Sequence, residues 1–179
     1  PHLEHVVFGR MRFVDQSMST RKGTVLKLEH VLDEAVDRAG SVIDQHRDTI
    51  QTDDRSALAE MMGTGALVYG ILSQNRKMDI VFDWEKFLSF EGNSAPYLQY
   101  TYARARSVLR KAGGEGVGAL VSSITPAERS LVRQLLQFPF VLQESRDDRM
   151  PHKLCQYLYQ LCQAYNAFYN VDPILTALS

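Results

Sequence analysis

Two stretches of this 179-residue chain bring together residue types that could do chemistry. Asp15 to Thr24 places the hydroxyls of Ser17, Ser19 and Thr20, the cations of Arg21 and Lys22, and Gly23 within a few residues. Hydroxyls and backbone N–H groups can cradle phosphate oxygens while cations balance the charge. The G-x-x-x-x-G-K-S/T spacing of a P-loop is missing, and on the bare pattern a solvated connecting loop is preferred. The second stretch, Asn93 to Ala112, carries Arg104, Arg106, Arg110 and Lys111 with no acidic residue, and Tyr97, Tyr100 and Tyr102 lie among them. Guanidinium groups pair with phosphates and rings stack on bases, which suits a nucleic-acid backbone. By composition alone an ordinary solvated helix is favoured there, because charge runs usually face water.

Other reaction centres are not assembled in the sequence. His2, His5, His30, His46 and His152 are scattered; His2 and His5 could pair at the surface, but no cluster of Cys or carboxylates supplies further zinc ligands. Neither cysteine lies near a histidine as a nucleophile would require, and no Ser/His/Asp order can be argued. Asp53, Asp54, Asp79 and Asp83 read as helix caps rather than an acid/base pair. Gly114-x-Gly116-x-x-Ala119 resembles a dinucleotide fingerprint but follows a helix instead of a strand, so it reads as a flexible connection. No metal site is expected.

Elements must hold the two stretches in place. His5 to Phe13 has strand character, and Asp79 to Asp83 returns to extended character. Between them the 3.6-residue period predicts helices over 28–47 and 55–72. Gly63, Gly65 and Gly70 in the second would allow close approach by a neighbour, while Met61, Met62 and Met78 read as gap-filling core. A short helix over 84–88 leads into the basic stretch, where Ser94 is placed as N-cap and Pro96 is tolerated in the first turn. Along that helix Leu98, Tyr102, Ala105, Leu109 and Ala112 form the stripe expected in the core, and Gly113 ends it. Thr125-Pro126-Ala127-Glu128 is a capping box, Phe138-Pro139-Phe140 is expected to break the helix it launches, and Val141 to Arg146 would form another. A last helix, 151–169, puts Leu154, Leu158, Leu161, Tyr165, Phe168 and Tyr169 on one face and Gln156, Gln160 and Gln163 on the other.

Hydrophobic content of 45% and charged content of 23% suit a globular protein with a proper core. A net charge of −1 confines any nucleic-acid binding to local patches. No apolar run approaches the roughly 20 residues that span a bilayer, and the start has no secretory pattern. Cys155 and Cys162, seven residues apart on one helix, would sit about 10 Å apart, beyond disulfide reach. A reducing compartment, the cytoplasm, is the simplest assumption. The chain begins at Pro1 directly on an apolar run, and it is expected to be part of something longer.

Several segments together resemble one family. His5-Val6-Val7-Phe8-Gly9, Ser17-Met18-Ser19-Thr20-Arg21-Lys22-Gly23 and Leu32-Asp33-Glu34-Ala35 are similar to the end of the catalytic domain of arginyl-tRNA synthetases, class I enzymes. Asp79 to Trp84, Gly92 to Arg104 and Ala167 to Asn170 extend the resemblance in the family's order over nearly the whole chain. The fold it implies is mainly α: a short β segment and loop from the end of a class I catalytic domain over about 1–90, then an α-helical bundle that binds the anticodon over about 91–179. By the same resemblance Met18, Ser19, Thr20, Arg21 and Lys22 stand in the K-M-S-K-S loop, which closes over ATP and stabilises pyrophosphate; Ser19, Arg21 and Lys22 would contact the nucleotide. Ser17 and Thr20 replace the usual lysines, the second in the manner of the arginine family, and Arg21 or Lys22 would supply the missing charge.

The resemblance implies a parent arginine–tRNA ligase that uses ATP with Mg²⁺ and tRNA(Arg). ATP and arginine would bind through regions outside these 179 residues, which contain no H-I-G-H motif. The piece alone is expected to be inactive. Asn93, Tyr97, Gln99, Tyr100, Arg104, Arg106 and Arg110 are the candidates for touching tRNA or the seam with the catalytic domain. A free-standing synthetase-derived RNA-binding module and a helical protein-interaction domain are the alternatives.

Overall fold

Small residues recur at the spacing of one helix face in both halves of the first helical region, and that sets how closely the helices pack. A computed structural model of the chain describes residues 3–13, 27–113, 124–172 and 174. Helix α1 (Leu28–Gln45) buries Val31, Ala35, Ala39, Gly40 and Ile43, and α2 (Arg55–Leu72) buries Ala59, Met62, Gly63, Ala66, Leu67 and Gly70. The two run antiparallel. A Cβ at Gly63 would lie 2.5 Å from the Ala35 carbonyl oxygen, so the backbones approach more closely than any other residue allows. Asp54 caps α2 by accepting the Ala57 N–H at 2.9 Å. At the hairpin end Asp44 accepts from Arg55 at 2.9 and 2.5 Å and from Arg47 at 2.8 Å. Those two guanidiniums, Arg55 foremost, hold the Asp44 carboxyl well below the usual carboxylate range.

Strand β1 (Met11–Phe13) pairs in parallel with β2 (Ile80–Phe82), Met11 opposite Ile80. A parallel pair needs a long crossover between its strands, and here the α1–α2 hairpin lies within it. Asp83 caps the short α3 (Trp84–Leu88) through the Lys86 N–H. Phe82, Phe87 and Leu88 join the α1–α2 core, with the Phe82 ring edge-on to Trp84 and to Phe87. Helices α4 (Ala95–Lys111), α5 (Pro126–Asp147) and α6 (Pro151–Val171) complete the chain; α5 packs along α6, and α4 packs against α2 and α6. The Thr125–Glu128 capping box is present in both directions. Among the described residues no helix is long and apolar enough to cross a membrane.

Several expectations need correction. The N-terminal strand is three residues long; residues 5–10 are irregular, because β2 offers only Ile80 to Phe82 as partners. Asp79 is no cap: it accepts the Arg10 N–H at 3.0 Å and pairs with the Arg10 guanidinium at 3.4 Å. Met62 is buried, but Met61 and Met78 are exposed. Helix α5 runs through Pro139 without the break expected at 138–140. A proline in a helix removes one hydrogen bond at a cost of about 3 kcal/mol, but here α6 anchors both sides of it. Tyr157 Oη donates to the Gln134 carbonyl at 3.0 Å before the proline, and Lys153 pairs with Glu144 and Asp148 at 2.5 Å after it.

The expected core stripe of α4 is also wrong at its distal end. Tyr102 is 66% exposed, Leu109 37%, and Ala112 is exposed, whereas Ala95, Pro96 and Thr101 are buried. The helix packs through Tyr97, Thr101 and Arg104 because their polar groups find partners on α6. A satisfied polar seam takes the place that periodicity alone gives to apolar side chains.

Candidate nucleic-acid interface

The start of α4 is fixed by its own sequence. Ser94 is buried; its Oγ accepts the Tyr97 N–H at 3.4 Å and donates to the Ser89 carbonyl at 2.5 Å. Pro96 is fully buried in the first turn. Just before the cap, Asn93 Oδ1 lies 2.6 Å from Tyr69 Oη, which also lies 2.9 Å from the Cys155 carbonyl. One hydroxyl proton therefore serves α4 and α6 together. Burial pushes the Tyr69 phenol well above its usual value, so it stays a donor.

Asn166 of α6 is the hub of the seam. Its Nδ2 donates to Tyr97 Oη and to Thr101 Oγ1, each at 3.0 Å, and its Oδ1 accepts from Arg104 Nη1 at 2.6 Å. Arg104 Nη2 donates to Tyr100 Oη at 2.9 Å. The Arg104 guanidinium lies 4.7 Å from the Tyr100 ring centre and 4.9 Å from that of Tyr169. Tyr97 meets Tyr159 edge-on at 5.6 Å. Thr101 Oγ1 returns a bond to the Tyr97 carbonyl at 2.9 Å. Tyr165 Oη, beside this seam, has no hydrogen-bond partner among the described residues; burial above all pushes its phenol upward. Burial likewise raises the Cys155 thiol to about 11 and the Cys162 thiol in the same direction.

Of the seven candidates, six lie on α4 and Asn93 stands just before its cap. Asn93, Tyr97, Gln99 and Arg104 are engaged within the chain; Gln99 Nε2 donates to the Met61 carbonyl at 3.3 Å. Tyr100, Arg106 and Arg110 are exposed, as is Lys111 at the end of the helix. One face of the Tyr100 ring is covered by Arg104 and the side chain is 51% exposed, which makes a stacking platform backed by a cation. Met18, Ser19, Thr20, Arg21 and Lys22 lie outside the described residues. Sequence reasoning missed Tyr69, Thr101 and Asn166. The available signal for Asn166 was a polar residue set inside the aromatic stripe of α6, between Tyr165 and Tyr169. Among the described residues no three His, Cys, Asp or Glu side chains converge where a metal could be held.

Two family models match in sequence order. Residues 1–84 match the catalytic domain of class I (R) tRNA synthetases, and residues 98–178 match the DALR anticodon binding domain. An arginine–tRNA ligase of Fusobacterium nucleatum is 42% identical over 175 residues, 96% of this chain and 31% of the relative. One from Cellvibrio japonicus is 44% identical over 176 residues, 97% of this chain and 30% of the relative. The chain therefore spans about a third of the length of the curated relatives it matches. Among solved structures, arginyl-tRNA synthetase of Thermus thermophilus superposes with a TM-score of 0.82 at 34% identity, covering 94% of this chain and 27% of that one. The Plasmodium falciparum enzyme gives 0.73 at 27% identity, covering 93% and 28%.

Proposed function

Because the chain belongs to the arginyl-tRNA synthetase family, we propose that the whole protein activates arginine with ATP and transfers it to tRNA(Arg) in the cytoplasm. Residues 1–90 then close the catalytic domain and 91–179 form the anticodon-binding bundle. Met18 to Lys22 meet the nucleotide, with Ser19, Arg21 and Lys22 on its phosphates. Cationic groups there act on the charge that grows on pyrophosphate as it leaves, an interaction stronger in the transition state than before it. Mg²⁺ accompanies the ATP.

The single observation that carries this reading is the succession of the two domain matches along one chain, with a cationic, aromatic helix where the second begins. On α4, Tyr100, Arg106 and Arg110 face the RNA, while Asn93, Tyr97, Gln99 and Arg104 shape and hold that surface. The test is tRNA(Arg) affinity of the full-length protein measured against salt. Arg106→Ala with Arg110→Ala should weaken binding and lower the slope of log K against log salt by about one for each phosphate no longer neutralised. Unchanged affinity and slope would remove these residues from the interface. A wild-type protein that shifts no tRNA in a gel would favour a helical protein-interaction domain.

A further inference from the structure

Arg76, in the turn between α2 and β2, is half-buried where three distant segments meet. Its Nε donates to the Arg149 carbonyl at 2.6 Å, Nη2 to the Asp148 carbonyl at 3.3 Å, and Nη1 to the Val7 carbonyl. Its own carbonyl accepts the Gly9 N–H at 2.7 Å. Asp148 and Arg149 close α5, where the last carbonyls lack helical donors, so a cation there meets both those acceptors and the negative end of the helix dipole. The Gly9 backbone lies close against the segment that follows the turn: a Cβ there would lie 2.0 Å from the Met78 carbonyl oxygen.

The α5–α6 turn is built against local preference. Arg149 N–H bonds the Arg146 carbonyl at 3.1 Å and Met150 N–H the Ser145 carbonyl at 2.9 Å, the pattern of a Schellman ending. Its left-handed position, usually glycine, is held by Arg149 at φ 53°. That residue is tied twice to the other segments: its guanidinium pairs with Glu4, and its carbonyl accepts from Arg76.

We infer that Arg76 is a positioning residue which, with the Arg149–Glu4 pair, couples the α5–α6 turn to residues 4–9 and so to β1, the strand preceding Met18 to Lys22. This coupling rests on the function proposed above; through it, tRNA held by the helical domain is sensed at the catalytic side. The guanidinium fork fixes direction as well as distance at each carbonyl, so a displacement of the turn is transmitted to the main chain at Val7 and Gly9.

The experiment is amide hydrogen exchange on the full-length protein with and without tRNA(Arg). In the wild type tRNA should slow exchange at residues 9–13 by about five-fold or more. In Arg76→Gln that slowing should vanish while tRNA affinity stays within about two-fold and the KM for ATP rises by a similar factor. Arg76→Lys keeps the cation but not the fork that reaches the Arg149, Asp148 and Val7 carbonyls together, and it should lose the slowing in the same way. It decides the matter if Arg76→Gln does not fold. Slowing retained in a folded variant, or tRNA bound by the wild type without slowing, would overturn the coupling alone. Absence of tRNA binding by the wild type would refute the proposed function instead.

Discussion

Arg104 holds its guanidinium between two tyrosine rings and against Asn166, so its charge is fixed in direction before any ligand arrives. A side chain ordered in advance loses little freedom on binding, which favours a tight interface for a given contact area. The same packing accounts for the thiols. Cys155 is buried and its pKa is pushed up to about 11, chiefly by desolvation, so almost no thiolate exists at pH 8. A thiol reagent at that pH should leave Cys155 unlabelled in the folded protein and label it at once in urea; mass spectrometry of the peptide reads the difference. Rapid labelling of the native protein would contradict the seam between α2, α4 and α6. The N-cap roles of Asp54, Asp83, Ser94 and Thr125 are visible at this scale, because each acts on a backbone N–H three residues away. The position of Arg104 is not, because its partner lies 62 residues further along the chain.

The α1–α2 hairpin depends on contact between backbones, and Gly63 is its most sensitive point. Gly63→Ala should lower stability by about 1–3 kcal/mol, since the new methyl overlaps the Ala35 carbonyl and both helices would have to part. A shift in urea midpoint of the full-length protein measures it, and an unchanged midpoint would show that the helices can separate freely. Periodicity found α1, α2 and α6 because each has an apolar face that a neighbour covers. The period also found α4 but misassigned its packed face, and the proline rule broke α5 where it continues. On α4 the packed face is polar and satisfied by Asn166; on α5 the pairing with α6 outweighs a proline that local rules treat as a stop. In both helices the deciding contact is with an element distant in sequence.

At the scale of the whole molecule, large apolar side chains stand exposed at residues 3–8, where Leu3 is 90% and Phe8 82% exposed, and along α5, where Phe140 is 73% exposed. Together with a span of about a third of its relatives, this gives a direct expectation. On the function proposed above, the 179-residue chain alone should support no arginine-dependent exchange of pyrophosphate into ATP; measurable exchange above a no-arginine control would contradict that. The sequence by itself determined the helix starts, the ends marked by Gly113 and the last turn of α6, the cationic aromatic helix, and the resemblance that joins loop and bundle. Those signals are local: a cap, a period or a motif acts within a few residues of itself. Only the tertiary structure decided which face of α4 is buried, that α5 continues through Pro139, and that Arg76 joins residues 7–9 to the α5–α6 turn. Each of these turns on polar groups more than 15 residues apart that must satisfy one another once water is excluded, and no local pattern in the chain encodes such a pairing.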